Sequence, residues 1–162
     1  MPKTLVAYFS ASGNTAEVAK EISNITKSDI FEIIPTKPYT NADLDWTNKN
    51  SRTSVEMQDE TSRPEIAEKL DNIENYDTIF LGFPIWWYVA PHIVNNFLES
   101  YDFSGKTIRP FFTSGGSGAG QTDEILHKSA PKAIWRPAKR LYSNNTERIR
   151  NWINDIEKNG AF

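Results

Sequence analysis

The chain has 162 residues, no cysteine and a formal net charge of −3 at neutral pH. The absence of cysteine excludes disulfides, thiolate catalysis, cysteine-ligated zinc and iron–sulfur clusters. The weak, unclustered charge argues against a nucleic-acid partner, and the two histidines, His92 and His127, have no metal-ligand spacing. No apolar stretch is long enough to cross a membrane. We therefore expect a single cytoplasmic domain over residues 1–162, with no metal, membrane or nucleic-acid partner.

The N-terminal part of the chain alternates apolar runs with amphipathic stretches. Leu5–Phe9 is a continuous apolar run, which is typical of a strand buried on both faces of a parallel sheet. The apolar spacing from Val18 to Ile25 predicts a helix after it. A second strand is predicted over Ile30–Ile34. The polar segment that follows, Pro35–Arg63, has little periodicity, and long connections of this kind are often functional.

Two further helices and one strand are predicted in the middle of the chain. Pro64 suits a first helical turn, and the spacing from Ile66 to Ile73 predicts a helix there. Thr78–Phe83 is the most apolar run and predicts the third strand. An apolar stripe within residues 93–98 predicts the helix that follows it.

The next part of the chain continues the pattern less regularly. Thr107–Thr113 predicts a fourth strand, although Pro110 has no N–H to donate to a central ladder. Gln121–Lys128 predicts a shorter helix. A fifth strand opens with Ala133–Trp135, and the sequence does not define where it ends.

The last helix has the clearest signal. Asn145 or Thr146 is placed to cap it, and its apolar residues fall at i, i+3, i+4 and i+7: Ile149, Trp152, Ile153 and Ile156.

Strands and helices thus alternate five times, which predicts an α/β fold with a parallel sheet and helices on both faces. Ligands of such sheets bind beyond the carboxyl ends of the strands. The segments after strands one, three and four are therefore the candidate binding loops.

The segment after the first strand is rich in hydrogen-bond donors. Ser10–Thr15 places three hydroxyls, one amide and one glycine between a strand and a helix N-terminus. Free N–H groups and the helix dipole make that position an anion site. The loop has no Lys or Arg and lacks the P-loop spacing, which argues against an ATPase or GTPase. The alternative is that its Ser and Thr side chains only cap the helix.

The other two segments have unusual compositions. Pro84–Pro91 contains three consecutive aromatic residues, which can flank a planar ring or pack as core. Thr113–Gly120 has four glycines among eight residues, which lets backbone N–H groups approach a ligand closely. The alternative for the second segment is a flexible surface linker.

Together these features resemble the flavodoxin family over essentially the whole chain. Ser10–Thr15 is similar to the family's phosphate loop, Ser/Thr-x-Ser/Thr-Gly-x-Thr, placed after a first strand. Gly82–Trp87 is similar to its isoalloxazine loop, and Thr113–Ser117 to its second ring-binding loop. The resemblance implies a doubly wound, five-stranded parallel sheet in the order 2-1-3-4-5, with FMN bound at its edge.

The resemblance also implies which residues bind FMN. The phosphate would be held by Ser10, Ser12, Gly13, Asn14 and Thr15. The ring would lie along Pro84, Ile85, Trp86 and Trp87, and its pyrimidine edge would meet Ser114, Gly115, Gly116 and Ser117. No side chain is assigned as a catalytic acid, base or nucleophile.

The chain departs from the familiar electron carriers in three respects. It is less acidic, and the stacking tyrosine of the second ring loop has no equivalent in residues 114–118. Pro35–Arg63 is longer than a minimal flavodoxin needs at that point. Within it, Tyr39 or Trp46 can either cover the cofactor or cover a hydrophobic edge, and we favour the second alternative because aromatic residues commonly serve packing.

The expected function is a low-potential electron carrier, a monomer or weak dimer whose partners are a flavodoxin reductase and an acceptor protein. The alternative is an NAD(P)H-dependent FMN oxidoreductase that reduces a quinone or a flavin. In that case His92 would protonate the acceptor, whereas otherwise it is a solvated residue of a first helical turn. A third possibility is a binding module that uses the fold without redox chemistry.

Overall fold

Strands and helices alternate along the chain in the computed structural model, which describes residues 3–87, 89–114 and 122–158. The strands are β1 (Thr4–Tyr8), β2 (Asp29–Glu32), β3 (Thr78–Pro84), β4 (Thr107–Thr113), β5 (Ile134–Trp135) and β6 (Lys139–Arg140). The α-helices are α1 (Asn14–Thr26), α2 (Arg52–Gln58), α3 (His92–Glu99), α4 (Thr122–Ser129) and α5 (Thr146–Lys158). No helix of the described residues is long and apolar enough to cross a membrane.

The strands form one parallel sheet in the order β2-β1-β3-β4-β5, and β6 also pairs with β4. Alternate residues of β1 point to opposite faces, so that Val6 packs with α1 and α5 whereas Leu5 packs with α3 and α4. Each face buries its own apolar layer under a pair of helices. The predicted strand order and the predicted helices on both faces are confirmed.

The fifth strand is split into two short pieces around Pro137. The N–H of Arg136 donates to the Ile108 carbonyl at 2.9 Å, and the N–H of Leu141 donates to the Phe112 carbonyl at 2.9 Å. The backbone carbonyls of Ile108 and Phe112 thus point towards the fifth strand. Pro110 is two residues from each of them, so the backbone of Pro110 points towards the fifth strand as well. The position where Pro110 has no N–H to donate therefore lies beside the break between β5 and β6. For this reason a proline can occupy the central strand β4.

The prediction of a helix beginning near Pro64 is wrong. Between Pro64 and β3, a segment that the structure describes throughout, the only helical turn is a 3₁₀ turn at Ile73–Asn75. Ile66 instead forms an antiparallel bridge with Pro35, and the N–H of Ala67 donates to the Ile34 carbonyl at 2.7 Å. These backbone bonds to residues distant in sequence use N–H groups that a helix would need. They therefore override the helical pattern of the apolar residues, which is only a weak guide to structure.

Two helix ends show how side chains fix the boundaries. Asn145 accepts a hydrogen bond on Oδ1 from the N–H of Arg148 at 3.0 Å, which confirms the predicted cap of α5. Helix α2 was not predicted. Ser51 caps it by accepting from the N–H of Ser54 at 3.3 Å, and it lies inside the long polar segment 35–63.

Candidate functional site

The loop between β1 and α1 has the shape of an anion site. Gly13 stands immediately before the helix with φ +93°, a left-handed conformation that favours glycine. Its N–H donates to Ser10 Oγ at 3.1 Å, and its carbonyl accepts from the N–H of Glu17 at 3.1 Å. Because the N-cap residue is Gly13, it provides no side-chain cap for the start of α1. The alternative that Ser and Thr serve only as caps is therefore not supported, and the first-turn N–H groups can donate hydrogen bonds to an anion.

A buried hydroxyl pair connects this loop to the end of β4. Thr15 Oγ1 lies 2.7 Å from Thr113 Oγ1. The carbonyl of Thr113 also accepts from the N–H of Ile85 at 3.1 Å. Thr113, at the end of β4, thus connects the first turn of α1 with the end of β3, a role that the sequence did not reveal.

A tight turn after β3 presents the aromatic residues. The N–H of Trp86 donates to the Val89 carbonyl at 2.8 Å, and the reciprocal bond is 3.1 Å. Trp86 is half-buried and meets Phe9 and Tyr39 edge-on, so its ring is partly core. Trp87 is 43% exposed and adopts φ +49°, which is unusual for a bulky residue.

Two adjoining clefts open at this edge of the sheet, and they share Ser12, Pro84 and Ile85. The larger, of about 510 Å³, is lined by Ala11, Ser12, Leu44, Trp46, Thr53, Pro84, Ile85, Trp86 and Trp87. The smaller, of about 240 Å³, is lined by Ser12, Asn14, Pro84, Ile85, Thr113, Ser114, Leu141, Tyr142, Ser143 and Asn144. The structure thus brings Ser12 and Asn14 of the loop between β1 and α1 together with the aromatic turn and Ser114, whereas Ser10, Gly13 and Thr15 line neither cleft. Gly115, Gly116 and Ser117 lie outside the described residues.

The walls of both clefts are uncharged. Among the described residues that line them, none is an acid, a lysine, an arginine or a histidine. The larger cleft is mostly aromatic and aliphatic, which suits a planar ring, and the uncapped helix start beside it suits a phosphate. The residues present therefore fit FMN.

Residues 35–63 approach this edge through two aromatic side chains. Tyr39 packs edge-on against Phe9 at 5.8 Å and donates its hydroxyl to Glu56 at 2.6 Å. Burial and the Glu56 carboxylate raise the pKa of Tyr39 strongly. Trp46 lines the larger cleft and is 72% exposed. The favoured expectation, cover for a hydrophobic edge, is thus confirmed for Tyr39 and wrong for Trp46.

His92 lies away from the aromatic cleft and is not solvated. Its Nδ1 is 2.6 Å from Ser62 Oγ, and it lines a separate polar cleft with Arg63 and Glu99. Burial, assisted by the Arg63 charge, lowers the pKa of His92. Neither expectation for this residue, acceptor protonation or a solvated first turn, matches this position.

The lowered pKa of His92 makes stability depend on pH. The unfolded chain protonates this imidazole near pH 6.5, whereas the folded protein does so only at lower pH. His92 therefore contributes full stability above pH 6.5, and the contribution is lost as the pH falls from there towards the folded pKa. Urea unfolding from pH 8 to pH 5 is expected to show this loss in the wild type. His92→Asn should reduce it, and an identical pH profile in the two proteins would contradict the assignment.

The left-handed backbone at Trp87 predicts that a glycine at this position gives a more stable protein than an alanine does. Trp87→Gly and Trp87→Ala remove the same indole, but only glycine adopts this φ without strain. We expect Trp87→Gly to be more stable than Trp87→Ala by about 1 kcal/mol. Urea unfolding of the flavin-free variants measures the difference. Equal stability would mean that the turn relaxes when the indole is absent.

A doubly wound parallel sheet with an anion loop after its first strand and an aromatic turn after its third is the arrangement of flavodoxin-like proteins. The Flavodoxin family model matches residues 3–156. The chain therefore belongs to the flavodoxin family. No curated protein matches it in sequence.

Solved structures agree with this assignment. A candidate flavoprotein from Bacteroides eggerthii is 46% identical, with a TM-score of 0.90 and coverage of 97% of this chain and 99% of that one. Another from Bacteroides uniformis is 48% identical, with a TM-score of 0.90 and coverage of 94% and 98%. A Lactobacillus acidophilus flavoprotein in complex with FMN has the same fold, at 22% identity, a TM-score of 0.68 and coverage of 91% and 97%.

Proposed function

We propose that this chain binds FMN non-covalently at the edge of its sheet. The observation that carries the proposal is the uncapped start of α1 beside an uncharged aromatic cleft. The phosphate would be bound by Ser10, Ser12, Gly13, Asn14 and Thr15. The ring would meet Pro84, Ile85, Trp86, Trp87 and Ser114, together with Gly115, Gly116 and Ser117. The FMN complex of the Lactobacillus acidophilus flavoprotein supports this choice of ligand.

When bound, FMN supplies reversible one- and two-electron redox chemistry, and the protein binds and tunes it. First-turn N–H groups and the hydroxyls of Ser12 and Thr15 would hold the phosphate through charge-assisted hydrogen bonds. The aromatic and aliphatic wall of the larger cleft would shield one part of the ring from water. Reduction adds negative charge to the flavin, and an uncharged apolar wall disfavours such charge beside it. The wall would therefore lower the reduction potential of the bound flavin.

The function that we propose is a low-potential electron carrier that exchanges electrons with a reductase and an acceptor protein. No described residue lining the clefts titrates near neutral pH, so none is placed to move a proton to a substrate. His92, the candidate proton donor, lines a different cleft. A carrier needs no such donor, because the flavin itself performs the electron transfer.

Anaerobic reduction tests the carrier function. The FMN-loaded protein is mixed with NADPH or NADH, with and without a flavodoxin reductase, and the bleaching of the visible flavin absorption is followed. Bleaching that requires the reductase is the expected result. Rapid bleaching without it would instead establish an NAD(P)H-dependent oxidoreductase. Failure to load any flavin would overturn FMN binding itself.

A further inference from the structure

The larger cleft has a wall from outside the three loops that define the family's site. Leu44, Trp46 and Thr53 line it together with the aromatic turn. They belong to the segment Pro35–Arg63, which follows β2.

The backbone around Trp46 is held in place by hydrogen bonds. On one side, the N–H of Leu44 donates to the Thr40 carbonyl at 3.1 Å. On the other, the N–H of Asn48 donates to the Asp45 carbonyl at 3.1 Å. The N–H and the hydroxyl of Thr53 both donate to the Asp43 carbonyl, at 3.1 and 2.8 Å. The indole is thus carried by an ordered loop, which presents it to the cleft at little further conformational cost.

The same segment is fixed to the aromatic turn. The Arg52 guanidinium lies 3.8 Å from the centre of the Tyr39 ring and donates from Nε to Glu56 at 2.8 Å. Tyr39 in turn packs edge-on against Trp86, with ring centres 5.4 Å apart. A ligand on the aromatic turn is therefore within the same cleft as Trp46.

Trp46 is the most exposed large apolar side chain of the described residues, at 72%. Because the indole lies on the wall of the cleft and is not packed into the core, its flat face is available to a planar ligand there. The cleft also reaches Ser12 of the anion loop, so a molecule anchored there by its phosphate can extend into it. In addition, residues 114–120 contain no aromatic side chain that could stack from the other loop.

We propose that Trp46 is a flavin-binding residue, and that its indole contacts the isoalloxazine ring in the larger cleft. This inference rests on the proposed binding of FMN. It assigns to Pro35–Arg63 the function of completing the ring site, in a chain whose second ring loop has no aromatic residue.

Flavin titration of three proteins tests the proposal: the wild type, Trp46→Ala and Trp46→Phe. A matched control is Val55→Ala, which removes another exposed apolar side chain of the same segment that does not line the cleft. Binding of FMN and of riboflavin is followed by flavin fluorescence. Trp46→Ala is expected to weaken both ligands by the same factor, about 3- to 10-fold, because riboflavin retains the ring. Trp46→Phe should recover most of this loss, and Val55→Ala should bind as the wild type does.

The outcomes separate this inference from the binding of FMN itself. Tight binding of FMN by the wild type and unchanged binding by Trp46→Ala would overturn the role of Trp46 and leave the FMN site intact. No binding by any of the proteins would overturn the FMN site. Circular dichroism and thermal unfolding check that each variant is folded.

Discussion

Replacing Ser12 and Thr15 together by alanine is expected to weaken FMN binding about 100-fold and riboflavin binding much less. Ser12 lies in the loop just before α1 and Thr15 in its first turn, where the helix dipole and first-turn N–H groups favour an anion. A hydrogen bond to a charged group contributes about 1.5 to 3 kcal/mol, so the loss of two corresponds to at least about two orders of magnitude in affinity. Fluorescence titration with the two flavins measures the ratio.

Two controls keep this result interpretable. Ser23→Ala removes a hydroxyl from the opposite end of α1, where it bonds the Ser28 carbonyl, and should leave both affinities unchanged. Thr113→Val removes the partner of Thr15 while leaving the Thr15 hydroxyl in place. Equal weakening of FMN and riboflavin by the double variant would show that these residues maintain the shape of the site and do not bind the phosphate.

Gly82→Ala is expected to lower the free energy of unfolding by about 3 kcal/mol. Gly82 is buried in β3 beside Phe111 of β4, and an added Cβ would overlap the Phe111 ring. The ring has no space to retreat, because it is fully buried under α1 and α5. The carbonyl of Gly82 also accepts from the N–H of Phe9 at 2.9 Å, so a shift of β3 would disturb the start of the phosphate loop.

Urea unfolding of a double-mutant cycle measures this steric conflict. Phe111→Leu alone should destabilise the protein because it leaves a cavity. In combination with Gly82→Ala the smaller side chain makes room for the Cβ, so the double variant should be more stable than the sum of the two single losses predicts. Strict additivity would contradict direct contact as the cause.

The strands were predictable because burial on both faces leaves a clear trace in the sequence. Val6 and Leu5 face different helical layers, so a strand of this kind must be apolar at consecutive positions. The segment at Pro64 was mispredicted because its apolar residues face the core from an extended chain held by a bridge to Pro35. Spacing alone does not distinguish these arrangements, since the deciding hydrogen bonds come from residues distant in sequence.

The candidate site was predictable where one short motif carries it, as at residues 10–15. It was less predictable where separate segments meet. Thr113 closes on Thr15 across 98 positions, and Trp46 reaches the cleft from a polar segment without periodicity. The sequence contained one indication of this second part of the site, which was the unusual length of Pro35–Arg63 and its two aromatic side chains. It indicated a function for the segment but not which of Tyr39 and Trp46 would line the cleft.

The short outer strands of the sheet influence how the protein behaves at high concentration. At one edge β2 has four residues and begins with Asp29, and at the other β5 and β6 have two residues each, separated by Pro137. An intruding strand needs a continuous row of unpaired N–H and C=O groups on which to add. Neither edge offers such a row over more than a few residues: β2 has an acidic residue at each end, and Pro137 lies between β5 and β6. The sheet is therefore poorly suited to edge-to-edge addition of further copies, and at one of its two edges this follows from the same broken strand that accommodates Pro110.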